Sequence, residues 1–274
     1  MAVENSIATN ASAFAALRTL SKITTDLTST QNRVASGLRV SSALDDSAAF
    51  ALAQGIRTEL RAIAAVNKGL DSTKGVAKVA LAGATGVSNL LDDLRANLTS
   101  MSSSSLTTAQ RNILSSDFNE LMSQAGNFIL DASFNNINML TNSADNVTTL
   151  SNLSGGNLTL NAQDLQTTAE ALASASVGTA SASLAAITDE FSSLESAVDS
   201  ALGVLGADVR SLELQTDFLS DISDATEEGL SDIVDADLAR ESARLMALQV
   251  QQQLAVQTLG IVNSAPQALL ALFR

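Results

Sequence analysis

The chain contains no cysteine, no histidine, no tryptophan and no tyrosine, and only one proline. Without cysteine there is no disulfide, so the chain suits either side of a membrane, and thiolate nucleophiles and zinc–thiolate sites are excluded. Without histidine there is no imidazole ligand, no Ser-His-Asp triad and no H-E-x-x-H protease helix. Acid–base chemistry would fall to Asp, Glu, Lys or Arg alone, and no cofactor is expected. Aromatics are 3% of residues, eight Phe in all, which suits slender helix-on-helix packing more than a wide globular core. One Pro and 14 Gly argue against a turn-rich β-sandwich. Basic residues are few: 15 Lys and Arg against 29 Asp and Glu give a net charge of −14. That disfavours nucleic acid and anionic membrane surfaces and favours solubility of a free subunit. No apolar run approaches the roughly 20 residues that cross a bilayer, so no membrane insertion is expected. The opening MAVENSIATNASAF carries Glu4 and lacks a basic stretch followed by an apolar one, so it does not read as a secretory signal.

What the chain does contain is hydrophobic residues, 46% of the total, many of them Ala, Leu, Val and Ile. At both ends they form stripes. Ile7 and Phe14 lie one heptad apart, Leu20, Leu27 and Val34 continue at close to that interval, and Leu17 lies beside them. At the other end Leu248, Ala255, Val262 and Leu269 form one heptad column, and Ala247, Leu254, Ile261 and Ala268 form its neighbour, with Leu270 beyond. Such seams need partner helices. The expectation is that the two ends pair with each other and then with further copies. The first helix is expected over residues 3–34, about 45–50 Å long at 1.5 Å per residue.

Between the ends the pattern stays helical. Ser36-Gly37 reads as a stop or bend, and Ser42 with Asp45 has the S-x-x-D spacing of a capping box, so a second helix is expected to begin there. Asp45 and Asp46 read as acids favoured at a helix N-terminus. A metal pair is the alternative, set aside because no other ligand cluster lies nearby. The helical pattern runs to about 101, a Ser/Thr-rich loop follows, and a third helix is expected over 108–130. Residues 131–183 turn rich in Asn, Thr, Ser and Gly. There Ser154-Gly155-Gly156-Asn157, between short Leu/Thr stretches, suggests one or two β-hairpins. An irregular polar insertion is the competing reading. Asn146-Val147-Thr148 and Asn157-Leu158-Thr159 fit the N-glycosylation pattern, which is common by chance.

The clearest periodicity covers 184–222. One column is Leu184, Phe191, Val198, Leu205, Leu212 and Leu219; the other is Ile187, Leu194, Ala201, Asp208, Gln215 and Ile222. Asp208 and Gln215 either set register or mark where a partner helix ends. Acidic Asp224–Gly229 is expected to break the pattern before the last helix. Pro266 is expected to bend that helix near Asn263–Pro266, or to make it stop and restart with Ser264 as cap.

Several segments, taken in order, resemble one family. SGLRVSSALDDSAAFALA (36–53) resembles the stretch that bacterial flagellins carry after their first helix. SDIVDADLARES (231–242), NSAPQALLALFR (263–274), GNFILDASFNNINML (126–140) and Leu205-Gly206-Ala207 are similar to further flagellin landmarks. Asp232 stands where the family usually has Arg, and Val209-Arg210-Ser211 where it has Gln-Asn-Arg. The resemblance implies a mainly α fold: a long antiparallel helical bundle, a terminal coiled-coil domain and a small β-containing insertion. It divides the chain into 1–40 and 229–274 as the two halves of an inner coiled coil, 41–135 and 184–228 as a helical outer domain, and 136–183 as a short variable insertion. It implies an extracellular filament subunit for swimming motility, a homopolymer of many copies. Export would be through the flagellar type III apparatus, with an export chaperone and a filament cap as partners. The helix step read by innate Toll-like receptors in many flagellins is best matched here by Asp92-Asp93-Leu94, so strong receptor recognition is not implied. The self-assembly residues would be Ile7, Phe14, Leu17, Leu20, Leu27, Val34, Leu248, Leu254, Val262, Leu269 and Leu270, with Ser42, Asp45 and Asp46 as helix-cap residues at the start of the second helix. A hook–filament junction protein is the close alternative. A secreted coiled-coil adhesin and a carboxylate-pair glycosidase are the distant ones.

Overall fold

A computed structural model describes the backbone of residues 10–272 and the side chains of residues 10–264. Seven α-helices account for most of that length. In order they are α1 (Ala11–Ser36), α2 (Ser47–Met101), α3 (Thr108–Asp131), α4 (Gln166–Ser174), α5 (Ala180–Ala186), α6 (Ser192–Val234) and α7 (Leu238–Leu272). Four short strands, β1 (Ser133–Phe134), β2 (Ile137–Asn138), β3 (Val147–Leu150) and β4 (Asn157–Leu160), make two antiparallel hairpins between α3 and α4. The chain is thus mainly α with a small β-containing insertion.

Local chemistry sets the helix ends. Asn10 Oδ1 accepts from the Ala13 amide at 3.0 Å and caps α1, and Gly37, at φ 72, closes it with its amide bonded to the Arg33 carbonyl. Thr107 and Gln110 form a reciprocal capping box that starts α3. The start of α2 differs from expectation. It begins at Ser47, and Asp46 caps it, with Oδ1 accepting from Ala48 and Ala49 at 3.0 Å each. The S-x-x-D spacing belongs to the turn before the helix. The acidic stretch Asp224–Gly229 does not end α6 either; the helix continues to Val234, and the break comes at Asp235–Asp237, where Asp237 caps α7. Exposed acids cost a helix little, whereas a side chain that bonds free amides defines a new start. Pro266 does not stop α7, whose backbone is helical through to Leu272, and Ser264 Oγ donates to the Ile261 carbonyl instead of capping a new helix.

Two compact units are formed, one from Met1–Glu59 with Ala225–Arg274, the other from Leu60–Asp224. The divisions fall inside α2 and α6. No change of composition marks them, because an uninterrupted helix passes through each.

The second unit holds the larger core. Antiparallel runs of α2 and α6 are tied by Lys78–Glu213 at 2.8 Å and Arg95–Glu195 at 3.0 Å, and α3 lies against α2. Phe118, Phe191, Leu70, Leu94, Leu98, Leu194, Leu205 and Leu212 are fully buried. At about 1.5–3 kcal/mol for each buried side chain, these hold the unit. The 184–222 periodicity forms this seam from Phe191 onward. Its first member, Leu184, lies on α5 and is 55% exposed. A π-helical turn over Ile187–Phe191, one residue wider than an α turn, shifts the phase between α5 and α6.

The segment 136–183 is part of this core. Met139, Leu140, Leu160, Leu165 and Leu172 are buried in it, and α4 packs on α3. The second hairpin turns at Gly155, φ 86. The first turns at Asn135-Asn136, φ 54 and 67, a two-residue turn that needs left-handed backbone at both positions. Gln215 interrupts the apolar column for a reason outside its helix: its Nε2 donates to the Ser151 carbonyl at 2.7 Å and holds the turn of the second hairpin.

Candidate assembly surface

The first unit is built around α1 and α7, which pack along their lengths. On α1 the inward positions are Ala13, Ala16, Leu20, Ile23, Leu27, Thr30 and Val34, an unbroken 3-4 spacing. On α7 they are Glu241, Leu245, Leu248, Gln252, Ala255, Leu259 and Val262, again alternating by four and three. This is the pattern of a two-stranded coiled coil. Leu27 and Leu248 are its best buried members, at 8% and 7% exposure.

The expected assembly residues divide between two faces. Leu20, Leu27, Val34, Leu248 and Val262 lie in the seam. Phe14, Leu17 and Leu254 do not: they are 58%, 47% and 55% exposed. Ile7 and the side chains of Leu269 and Leu270 lie outside the described residues. Of the two apolar columns on α7, Leu248–Ala255–Val262 meets α1, while Ala247–Leu254–Ile261 faces away. The seam's true second column, Leu245–Gln252–Leu259, is disguised by a glutamine. On α1 the seam passes through Ala13, one residue before the conspicuous Phe14. Met246, Val250, Leu254 and Ile261 therefore form a second, uncovered stripe on α7 at spacings of four, four and seven. Phe14 and Leu17, with Ala11, Arg18 and Ser21, line a shallow open groove on α1.

Polar contacts hold the register. At one end Asn10 Nδ2 donates to the Val262 carbonyl at 3.2 Å. At the other, Arg33 Nη1 meets Glu241 Oε1 at 3.6 Å, with Glu241 only 9% exposed. Beyond α1 the backbone clamps onto the end of α6. The Arg39 and Val40 amides donate to Val234, the Ala236 amide donates to Gly37, and Arg39 Nη2 donates to Ile233 at 2.8 Å. Leu38 and Asp235 form an isolated antiparallel bridge. This brings the distant segments 36–53 and 231–242 into one place. Within the same turn, Asp45 Oδ2 accepts from the amides and hydroxyls of Ser41 and Ser42 at 2.9–3.1 Å. The Ser41 hydroxyl leads these bonds in holding the Asp45 carboxyl below its ordinary range. Ser42 thus fixes Asp45, and Asp46 starts the helix.

An uncovered apolar stripe therefore runs beside the α1–α7 seam. Comparison with known proteins gives that surface its context. The bacterial flagellin N-terminal helical region matches residues 7–145, and the bacterial flagellin C-terminal helical region matches residues 184–273. The chain belongs to the flagellin family. It is 33% identical to flagellin FljK of Caulobacter vibrioides over 98% of this chain and 99% of that one. A flagellin of Brucella melitensis is also 33% identical, over 98% and 99%. Among solved structures, a Bacillus cereus flagellin superposes with a TM-score of 0.51 at 15% identity, covering 55% of this chain and 88% of that one. A protein described as flagellar hook-associated, from Vibrio parahaemolyticus, superposes with a TM-score of 0.57 at 15% identity, covering 70% of this chain and all of that one. At these identities the structures speak to fold alone. As a flagellin the chain is a structural subunit of the flagellar filament, and the hook–filament junction and adhesin readings are not favoured. Among the described residues no helix is long and apolar enough to cross a membrane.

Proposed function

We propose that this flagellin polymerises into an extracellular filament for swimming, and that the two faces of the α1–α7 pair divide the work. Leu20, Leu27, Val34, Leu248 and Val262 hold the pair together; Phe14, Leu17 and Leu254 meet neighbouring copies, and Ile7, Leu269 and Leu270, whose side chains lie outside the described residues, belong to the same proposed set. The observation that carries this reading is the uncovered stripe Met246–Val250–Leu254–Ile261, each side chain more than half exposed on a helix whose other face is already occupied. Covering the exposed half of each would contribute on the order of 1 kcal/mol per side chain per contact. Repeated along a filament, that is enough to decide between monomer and polymer. A contact between two different faces whose rotation does not close a ring propagates as an open helix. Ser42, Asp45 and Asp46 hold the turn that leads from α1 into α2.

The role is structural rather than catalytic. Export in an unfolded state through the flagellar secretion apparatus, with a chaperone on the way and a cap at the growing tip, agrees with a chain free of cysteine. Leu254→Asp tests the scheme. Placed in the uncovered stripe, the carboxylate should abolish sedimentable filaments, seen equally in electron micrographs. The thermal melt of the dilute full-length monomer should move by no more than a surface substitution allows, about 0.5 kcal/mol. Normal polymerisation of the variant would refute the assignment of this face.

A further inference from the structure

Oxidants choose side chains by reactivity and by exposure. This chain has no cysteine, histidine, tryptophan or tyrosine, so methionine is its readily oxidised side chain. Five methionines are present. Met1 lies outside the described residues. Met101, Met122 and Met139 are buried in the core of the second unit. Met246, on α7, is 62% exposed. Among the described residues it is therefore the one methionine that an oxidant reaches without unfolding the chain. Its position gives the exposure a consequence. Leu245 and Leu248 on either side turn toward α1, and Met246 heads the uncovered stripe Met246–Val250–Leu254–Ile261 on the opposite face.

We propose that Met246 is a modification site for hydroperoxides, open in the free subunit and closed in the filament, and that its oxidation blocks assembly. The proposal rests on the filament reading, in which this stripe meets a neighbouring copy. In the step itself the thioether sulfur attacks the outer oxygen of the hydroperoxide. An S–O bond forms, the O–O bond breaks, and the proton of the attacked oxygen passes to the leaving oxygen, which departs as water or an alcohol. Sulfur gives up two electrons and the peroxide takes them. The product, methionine sulfoxide, is a polar side chain where an apolar one stood. In a free subunit its new oxygen is solvated and costs the fold nothing. Under a neighbouring copy it must lose that water, and an apolar partner offers it no hydrogen bond.

Hydrogen peroxide is the probe. The dilute full-length chain is treated briefly, the oxidised residues are located by peptide mass mapping, and the critical concentration for polymerisation is measured. Oxidation should fall on Met246 well before Met101, Met122 and Met139, and should raise the critical concentration about tenfold while the melt of the dilute chain stays in place. Methionine sulfoxide reductase should restore assembly. In filaments formed beforehand, Met246 should react about tenfold more slowly than in the free subunit. Met246→Leu keeps the apolar volume, cannot take up oxygen, and should polymerise equally well before and after peroxide, although it retains Met1 and the buried methionines. Met246→Gln, polar from the outset, should assemble as poorly as the oxidised chain. Normal polymerisation of the oxidised chain, equal loss of assembly in Met246→Leu, or unchanged reactivity of Met246 in filaments overturns the proposal and leaves polymerisation itself standing. Failure of the untreated, unsubstituted chain to polymerise removes the filament reading, and this proposal with it.

Discussion

Replacing Gly83 by alanine should destabilise this protein, although alanine is the better helix former. A Cβ at position 83 lies 2.6 Å from Ala132 Cβ, 2.9 Å from Leu140 Cδ1 and 3.0 Å from the Phe128 carbonyl oxygen. Carbon atoms prefer about 3.5–4.0 Å. The leucine methyl can rotate away, but Ala132 Cβ and a backbone oxygen move only with α3 itself. Inserting a methyl group into a full core costs about 1–3 kcal/mol, and two unyielding neighbours place this site near the upper figure. The gain in helix propensity offsets about 1 kcal/mol, which leaves a net loss of about 2 kcal/mol. For a domain of this size about 2–4 °C of Tm accompanies each kcal/mol, so the melt should fall by roughly 4–8 °C. Gly126→Ala is the internal control. It has the same chemistry on a neighbouring helix with nothing within 4 Å, and it should raise stability by about 0.5–1 kcal/mol. Thermal melts of dilute full-length chains followed by far-ultraviolet circular dichroism measure both. If the two variants move Tm in the same direction, the close packing of α2 on α3 is not as described.

Three further outcomes are expected. Asp46→Ala removes the side chain that caps α2 and should cost about 1 kcal/mol by the same melts, while Asp46→Asn, which still accepts a hydrogen bond, should cost much less. Among the described residues Asp208 Oδ2 is buried without a partner, and burial pushes that carboxyl upward. An acid whose folded pKa is raised stabilises the protein below the unfolded value and loses that contribution as pH climbs through the folded one. Asp208→Asn should therefore be the more stable chain at neutral pH, with its advantage vanishing below pH about 4. Gln215→Leu strands the Ser151 carbonyl, so amide exchange should quicken across β3 and β4 while α1 and α7 keep their protection, as hydrogen-exchange mass spectrometry can show.

Much of the architecture was legible in the chain because helix periodicity is a local property. The long helices and the loop after Met101 follow from spacing and composition, and so does the Gly155 turn. What spacing alone leaves open is which of two adjacent columns faces inward. On α7 the two candidates differ by a single residue, about 100° of rotation, and both are apolar. Only the position of α1 turns Leu248 inward and Leu254 outward. Polar residues inside a seam hide it for the same reason: Thr30, Glu241 and Gln252 look like interruptions until Arg33 and the facing helix supply their surroundings.

The Asn135-Asn136 turn carried a readable signal, since asparagine tolerates the left-handed backbone that a two-residue hairpin requires. The capping of α2 was readable only in part. Ser42, Asp45 and Asp46 all have the right chemistry, and one residue of register decides which of them meets the free amides. The sequence by itself therefore determined the helical class, the paired ends and the family, because these depend on repeat length and on ordered local motifs. The tertiary structure alone decided the phase of each stripe, the use of Gln215 as a clasp for a hairpin, and the close packing at Gly83. Each of those is set by a neighbour distant along the chain, and a one-dimensional pattern does not contain its neighbours.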